Sequence, residues 1–427
     1  MMKTVAVAGV ALTATLVSFG STTTVSSVSE LGDSVTVGND TLRYTGAGAE
    51  TYSGTFTANP GDKLATTVDI ANENGALTLE HFVQATDQFV KTGPGTLMMK
   101  TGGITFKVGD GGTTYWGSTP NLTWTDGSCD AHYSPFVVHD GTLKIDFPTK
   151  ETTDKIPDSV VGHVSQSTPT PRARLEILRG TLDMGNSITI DRGAGHTADH
   201  PLQSVYVGTN GVLKGNNIWM TSQHTTSDYY GNSLLDVDGG SVEIAVDAQF
   251  GRSAGEAKIL VRNGGVFSET ASAVNQTVNK GMYLPYSSST SLSNVFEVTG
   301  ASTGRFHLAT CSSSTRKGER MKIKVSDGGT ILNDAYHPMA LTNNWGCGVA
   351  EFNKATIAGW YVRSASEWFP FLQAYTVGSG GLTLCTETIA ALGGASRGKG
   401  EITLTGGGTI GLHPGQAASR SARAVCA

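Results

Sequence analysis

Charge is scarce in this sequence. Only 15% of its 427 residues are Asp, Glu, Lys or Arg, against a usual ~25% in soluble domains, and the formal net charge is −6. A nucleic-acid partner would demand a basic footprint. The single basic run, Arg316-Lys317-Gly-Glu-Arg320-Met-Lys322-Ile-Lys324, alternates Lys322 and Lys324 with Met321, Ile323 and Val325, which reads as the solvated face of a strand. Proline is scarce too, at 13 residues, which excludes a collagen or a proline-rich linker. The five cysteines, Cys129, Cys311, Cys347, Cys385 and Cys426, are an odd number without a Cys-x-x-Cys pair, so a fully paired framework and a compact zinc or redox motif are excluded. Cys311, Cys347 and Cys385 are spaced so that two of them would fall in neighbouring repeats of the pattern described next; otherwise they read as buried free thiols. Past the N-terminus, no apolar run is long enough to span a bilayer. Apolar residues make up 38% of the chain, too many for a disordered polymer.

Glycine, by contrast, is abundant: 55 residues, about 13% against a usual ~7%. It is placed with regularity. Phe89-Val-Lys91-Thr-Gly93-Pro94-Gly95-Thr96-Leu97 is answered by Val137-Val138-His139-Asp140-Gly141-Thr142-Leu143. The same strand, glycine turn, strand unit recurs around Gly180, Gly211, Gly240, Gly265, Gly329 and Gly407. Asp-Gly, Asn-Gly and Gly-Gly supply the positive φ of tight turns. The gaps from Gly141 to Gly265 are 39, 31, 29 and 25 residues. That is short for a four-stranded propeller blade and suited to a coil of three short strands per turn. The fold expected is therefore all-β, a right-handed parallel β-helix (β-solenoid). Helix is disfavoured because glycine interrupts nearly every window at ~1 kcal/mol each; Leu77 to Val90 has partly helical spacing but reads as strands in this context. Val207, Val237, Val261 and Val325 should be buried strand residues.

Five regions are expected along the chain. Residues 1–20 read as a signal peptide: Lys3 supplies the positive start, Val5 to Phe19 is apolar or small, and Ser18 and Gly20 are placed for cleavage. Residues 21–148 form an N-terminal β-rich region. Residues 149–174, with Pro157, Pro169 and Pro171, read as a loop or boundary. Residues 175–418 form the β-solenoid, interrupted near 336–375 by an aromatic-rich insertion. Residues 419–427 have no pattern and read as a disordered tail.

The residues Lys91, Gly93, Pro94, Gly95, Thr96 and Leu97, followed by the Thr113-Thr-Tyr115 strand and then Gly141, Thr142 and Leu143, resemble the autotransporter-associated β-strand repeat, also called the passenger-associated transport repeat. The close match covers about ten residues and a looser one perhaps sixty. Thr96-Leu97 and Thr142-Leu143 lie 46 positions apart, so an insertion near Trp124 to Tyr133 is implied. The resemblance implies an exported, surface-exposed bacterial solenoid passenger with no single activity. A membrane barrel would need strands of ~10 alternating residues near the end; none is legible there, so self-transport is not expected.

Catalytic patterns are thin. Asp236 and Asp238 would share one strand face, as the paired carboxylates of a glycosidase must, but Asp238 beside Gly239-Gly240 reads as a turn residue. His196-Thr-Ala-Asp199-His200 could hold zinc on a helix, yet Gly193, Gly195 and Pro201 make it a loop. No nucleophile elbow, phosphate loop or dinucleotide fingerprint occurs. No cofactor, metal or catalytic residue is assigned. The aromatic insertion, through Trp345, Trp360, Tyr361 and Trp368, is the candidate binding surface, since exposed aromatic rings stack on sugars and dominate protein interfaces. The reading is a secreted or cell-surface structural or adhesive protein without catalysis, with glycans or cell-surface proteins as partners. The alternative is a polysaccharide lyase or glycoside hydrolase on the same scaffold.

Overall fold

A computed structural model of the chain describes residues 14–15, 21–58, 65–84, 88–100, 136–150, 153–155, 159–161, 172–184, 187–191, 201–220, 230–249, 254–269, 281–283, 293–305, 320–332, 339–340, 347–358, 362–363, 372–377, 382–385, 399–404 and 410–412. Among these the protein is all-β. No α-helix occurs, only a 3-10 turn at Val28–Glu30. The Leu77 to Val90 stretch forms strands Ala76–Gln84 and Gln88–Thr92. No helix among the described residues is long and apolar enough to cross a membrane.

Thirty-one strands join one sheet, and Met339–Ala340 pairs separately with Val362–Arg363. Every pairing is parallel, and register partners lie one repeat apart. The longest ladder starts at Ala49–Ala58 and Ala76–Gln84. It runs through Thr96–Met99, Gly141–Asp146, Ala173–Asp183 and Gln203–Met220. It continues through Tyr230–Asp238, Ala254–Arg262, Ser293–Thr299 and Arg320–Ser326 to Lys399–Leu404. A second ladder follows the first corner of each repeat, including Val266–Glu269, Thr303–Arg305 and Thr330–Leu332. A third includes Thr41–Tyr44, Ala65–Ile70, Gln88–Thr92, Phe136–Val138 and Ser159–Val161.

Alternation within each strand decides which side chains face inward. In the long ladder one inward column is Leu77, Leu97, Leu143, Leu175, Val205, Leu235, Ile259, Phe296 and Ile323. Two residues along each strand, the next column includes Ile177, Val207, Val237, Val261, Val298, Val325 and Phe352. All of these are buried, including the four valines predicted from the sequence. Each such side chain contributes ~1.5–3 kcal/mol by leaving water. On the outer face, opposite charges meet across neighbouring repeats: Lys144 with Glu176 at 3.2 Å, Lys214 with Glu243 at 2.8 Å, Lys258 with Glu297 at 2.7 Å.

The structure bears on three expectations. The stretch 149–174 carries strands Thr153–Lys155 and Ser159–Val161, and Ser159–Val161 pairs with repeats on both sides. Pairing therefore crosses it; Pro157, Pro169 and Pro171 fall outside the described residues. Within 336–375 the described strands keep the register of the repeat. Cys347–Asn353 lies in register with Arg320–Ser326 and then with Leu372–Val377, and Ala355–Ala358 joins the second ladder. Its corner was missed because it lacks glycine: Lys354 itself takes the positive φ of 53° that glycine adopts in other repeats. Cys347 registers with Arg320 and Cys385 with Ala358, in different ladders, so these two are not neighbours in one stack. Cys129, Cys311 and Cys426, the tail 419–427, and residues 1–20 apart from the Ala14–Thr15 strand lie outside the described residues.

The positive φ of Lys354 implies that Lys354→Gly stabilises the protein or leaves its stability unchanged. A non-glycine residue in this conformation costs about 1–2 kcal/mol, partly offset by glycine's greater unfolded-state freedom. Gly328→Ala, at φ +92°, should lower the urea midpoint. Lys354→Gly should raise it or leave it unchanged, and equal losses in both would contradict the corner geometry.

Candidate functional site

The two motifs singled out in the sequence lie directly against one another. Thr96 registers with Thr142, and Leu97 with Leu143, so the 46-residue gap closes into one repeat; residues 101–135 lie outside the description. The corner is built on Lys91. Its position in the third ladder follows Leu42 and Val68 and precedes Val138 and Val161, so lysine replaces a core hydrophobe and is fully buried. The aliphatic stem continues the apolar column. The ammonium turns to the corner and donates to Thr92 O at 2.8 Å, Gly93 O at 2.7 Å and Asp140 O at 2.9 Å. Three N–H donors meet three carbonyls, and the last bond ties this repeat to the next.

The glycines make room for that arrangement. A Cβ on Gly141, which has φ +65°, would strike Gly93 O and Gly95 O and come within 2.8 Å of Lys91 Nζ. Gly93, at φ +75°, is closed in by Asp69 and Ile70. Pro94 is exposed at the tip. Lys91, Gly93, Gly95 and Gly141 are thus one packing solution, and Thr96, Leu97, Thr142 and Leu143 belong to the strands it joins.

Burial pushes the Lys91 ammonium down to about 7, opposed by the carboxylates of Asp140 and Asp69. Burial likewise raises the Asp69 carboxyl, while Arg43, 3.5 Å away, counters it.

A second cluster lies on the outer face of the long ladder. Asp236 and Asp238 do share a face, as the sequence suggested. Arg262 Nε donates to Asp236 Oδ1 at 2.9 Å, and its Nη2 reaches Asp236 Oδ2 at 3.0 Å and Asp238 Oδ2 at 2.8 Å. Asp238 also accepts from Tyr206 Oη at 3.2 Å and from Asn263 Nδ2 at 2.6 Å. Arg174 covers the Tyr206 ring at 5.4 Å and donates to Glu176 at 2.6 Å. The hydrogen bond to Asp236 raises the Arg262 pKa further, and burial, with Asp238 beside it, raises that of Tyr206. Both carboxylates are held by a guanidinium in a fork geometry. Arg262 and Tyr206 were missed in the sequence because they sit one repeat away on either side; the signal was their spacing from Asp236, legible only once the register is known.

His196, Asp199 and His200, and the candidate binding residues Trp345, Trp360, Tyr361 and Trp368, lie outside the described residues. Among the described residues no group of three or more His, Cys, Asp or Glu is placed to hold a metal ion. No family model, no curated protein and no solved structure matches the chain.

The lysine corner yields a signed prediction. The folded-state value lies below the 10.5 of a free lysine, so between about 7 and 10.5 the folded protein binds fewer protons than the unfolded chain. Stability must rise with pH across that window, and below it the buried ammonium carries its full desolvation cost. Wild type should therefore gain stability relative to Lys91→Met between pH 7 and 10 in urea titrations; parallel curves would refute the assignment. Gly141→Ala should cost at least about 1–2 kcal/mol from its positive φ alone, measured by the same titration.

Proposed function

We propose that the chain is a secreted or cell-surface structural or adhesive protein of the autotransporter-passenger type, with its parallel ladders wound as a right-handed β-solenoid. The observation that carries the reading is the Lys91 corner. The Lys-x-Gly-x-Gly-x-Leu residues of the resemblance act together there, and the following Gly-Thr-Leu strand stacks directly on the first. Low charge, glycine corners and the N-terminal apolar segment behind Lys3 favour an exported protein of this kind. Glycans or cell-surface proteins are the partners this reading assigns, and the outer strand faces are the surface that would meet them.

The enzyme alternative turns on Asp236 and Asp238. A glycosidase needs one carboxyl group free to protonate a leaving group and another free to attack or to activate water. Here Arg262, Tyr206 and Asn263 occupy the carboxylate oxygens, an arrangement suited to joining repeats.

The test is expression of the full chain in its own type of cell, followed by surface proteolysis, sizing of the mature product and binding to a glycan and cell-surface array. The expected result is a protease-accessible product shortened by about 20 residues at its N-terminus, with saturable binding to at least one surface. An intact cytoplasmic product would overturn the reading. In parallel, turnover of uronate-containing or neutral glycans that vanishes in Asp236→Asn or Asp238→Asn would favour the enzyme.

A further inference from the structure

Thr22–Val25 pairs in parallel with Thr41–Tyr44, Thr22 against Thr41. The residues just before these strands, Ser21 and Asp40, therefore stand side by side. Backbone bonds hold both in place. Thr41 N donates to Ser21 O at 2.9 Å, and Thr67 N donates to Asp40 O at 3.0 Å. Asp40 is buried. Its Oδ1 accepts from Ser21 N at 2.7 Å and from Ser21 Oγ at 3.0 Å. Its Oδ2 is buried too and has no hydrogen-bond partner among the described residues.

A carboxylate taken out of water is stabilised by a paired charge and by donors on both oxygens. Ser21 inside a chain offers neither: it has one backbone N–H and one hydroxyl, both neutral. The same nitrogen at a chain terminus is an ammonium with three N–H groups. An α-amino group has an ordinary pKa of about 7.7–8.0, so it is charged at neutral pH. Ser21 is the residue that cleavage after Gly20 would leave first, the position that Ser18 and Gly20 signal. Hydrolysis there breaks the bond between the Gly20 carbonyl carbon and Ser21 N. The oxygen of water goes to Gly20, which becomes a carboxylate, and both protons of the water end on the Ser21 nitrogen. Cleavage also removes Ala14–Thr15, which pairs with Val35 and Thr36 only, while Thr22–Val25 keeps its four register pairs.

We propose that Asp40 is the receptor for a processed N-terminus: the Ser21 ammonium, released by cleavage after Gly20, pairs with both Asp40 oxygens and locks the first repeat onto the second. The proposal rests on the export reading and commits it to one scissile bond. An ammonium one residue earlier would stand about 3.3 Å further along an extended chain, away from Oδ2.

The exported product is first sequenced from its N-terminus, with Ser21 expected as the first residue. An exported product that begins elsewhere overturns the proposal and leaves the export reading standing; an intact cytoplasmic product overturns both. The chain starting at Ser21 is then compared by urea titration with the same chain Nα-acetylated and with one starting at Gly20, each with Asp40 and with Asp40→Asn. With Asp40 in place, acetylation and the extra glycine should each lower the folded-to-unfolded ratio roughly tenfold or more. With Asp40→Asn each should change it by less than about twofold. Equal losses in both backgrounds, or no loss with Asp40 in place, overturn the proposal and leave export untouched. Should Asp40→Asn fail to fold, acylation of the Ser21 amine decides. Folded wild type should react at least about tenfold more slowly than the urea-unfolded chain, and equal rates overturn the proposal.

Discussion

In-register parallel pairing is the constraint on which the rest of this molecule depends. Equivalent residues of successive repeats sit one strand spacing apart, ~4.7–4.9 Å, so whatever a position carries is set beside its own counterpart. Inward positions can share one answer, and Leu143, Leu175, Val205 and Leu235 give it. Outer positions cannot, because a repeated charge would repel itself along the stack. Opposite signs at the register partners Lys144 and Glu176 and at Lys214 and Glu243 avoid that, and Lys258 reaches Glu297 diagonally across the same kind of junction. Exposed pairs of this type are each worth only ~0–1 kcal/mol. Their larger effect is on register, since a one-residue slip would turn every inward side chain outward.

Corners pose the harder problem. Where a strand ends, backbone groups leave the ladder while still buried, and each must find a partner. The chain solves this with individual polar residues set inside the core. Thr66 donates to Val37 O and Gly38 O, Gln203 accepts from Ala173 N and donates to Pro201 O, and Asp191 accepts from Asn232 N. Ser302 accepts from Gly264 N. Lys91 is the strongest version, because an ammonium bonds carbonyls more tightly than a neutral donor does, and because it alone of this group can carry a positive charge there. Its burial and its three bonds oppose each other, which is why its protonation is coupled to folding.

What was legible in the sequence was what repeats. Alternation gave the inward valines, and Gly-Gly or Asp-Gly gave the corners at 240, 265 and 329, because those residues are chosen for backbone geometry, which is local. What was illegible was what substitutes for a repeated feature. Lys354 turns the chain without glycine, so the strands on either side of it were not legible as part of the repeat. Two short strands between prolines read as a loop, because three residues are too few to show alternation. At the candidate site the Lys-x-Gly-x-Gly-x-Leu residues and Gly-Thr-Leu were visible, but not that Lys91 reaches Asp140 O across 49 positions. The Asp236 cluster was half visible for the same reason: Arg262 and Tyr206 are distant in sequence and adjacent only in register.

The same logic bears on what kind of surface this face offers. Glu176 is held by Lys144 and Arg174, Asp236 by Arg262, and Asp238 by Arg262, Tyr206 and Asn263. Charges paired this closely cancel within a few ångströms, and salt screens the remainder beyond about 8–10 Å. A partner approaching this part of the face would meet little long-range field and no unpaired acid. Recognition there would depend on contact area, hydrogen bonds and fit to a strand spacing repeated over many turns. Those are the requirements of an extended partner, such as a glycan chain or a broad protein surface, far more than of a small charged ligand. Under the surface-protein reading, affinity would then grow with the number of repeats engaged, and any one side chain on this face would contribute little of it.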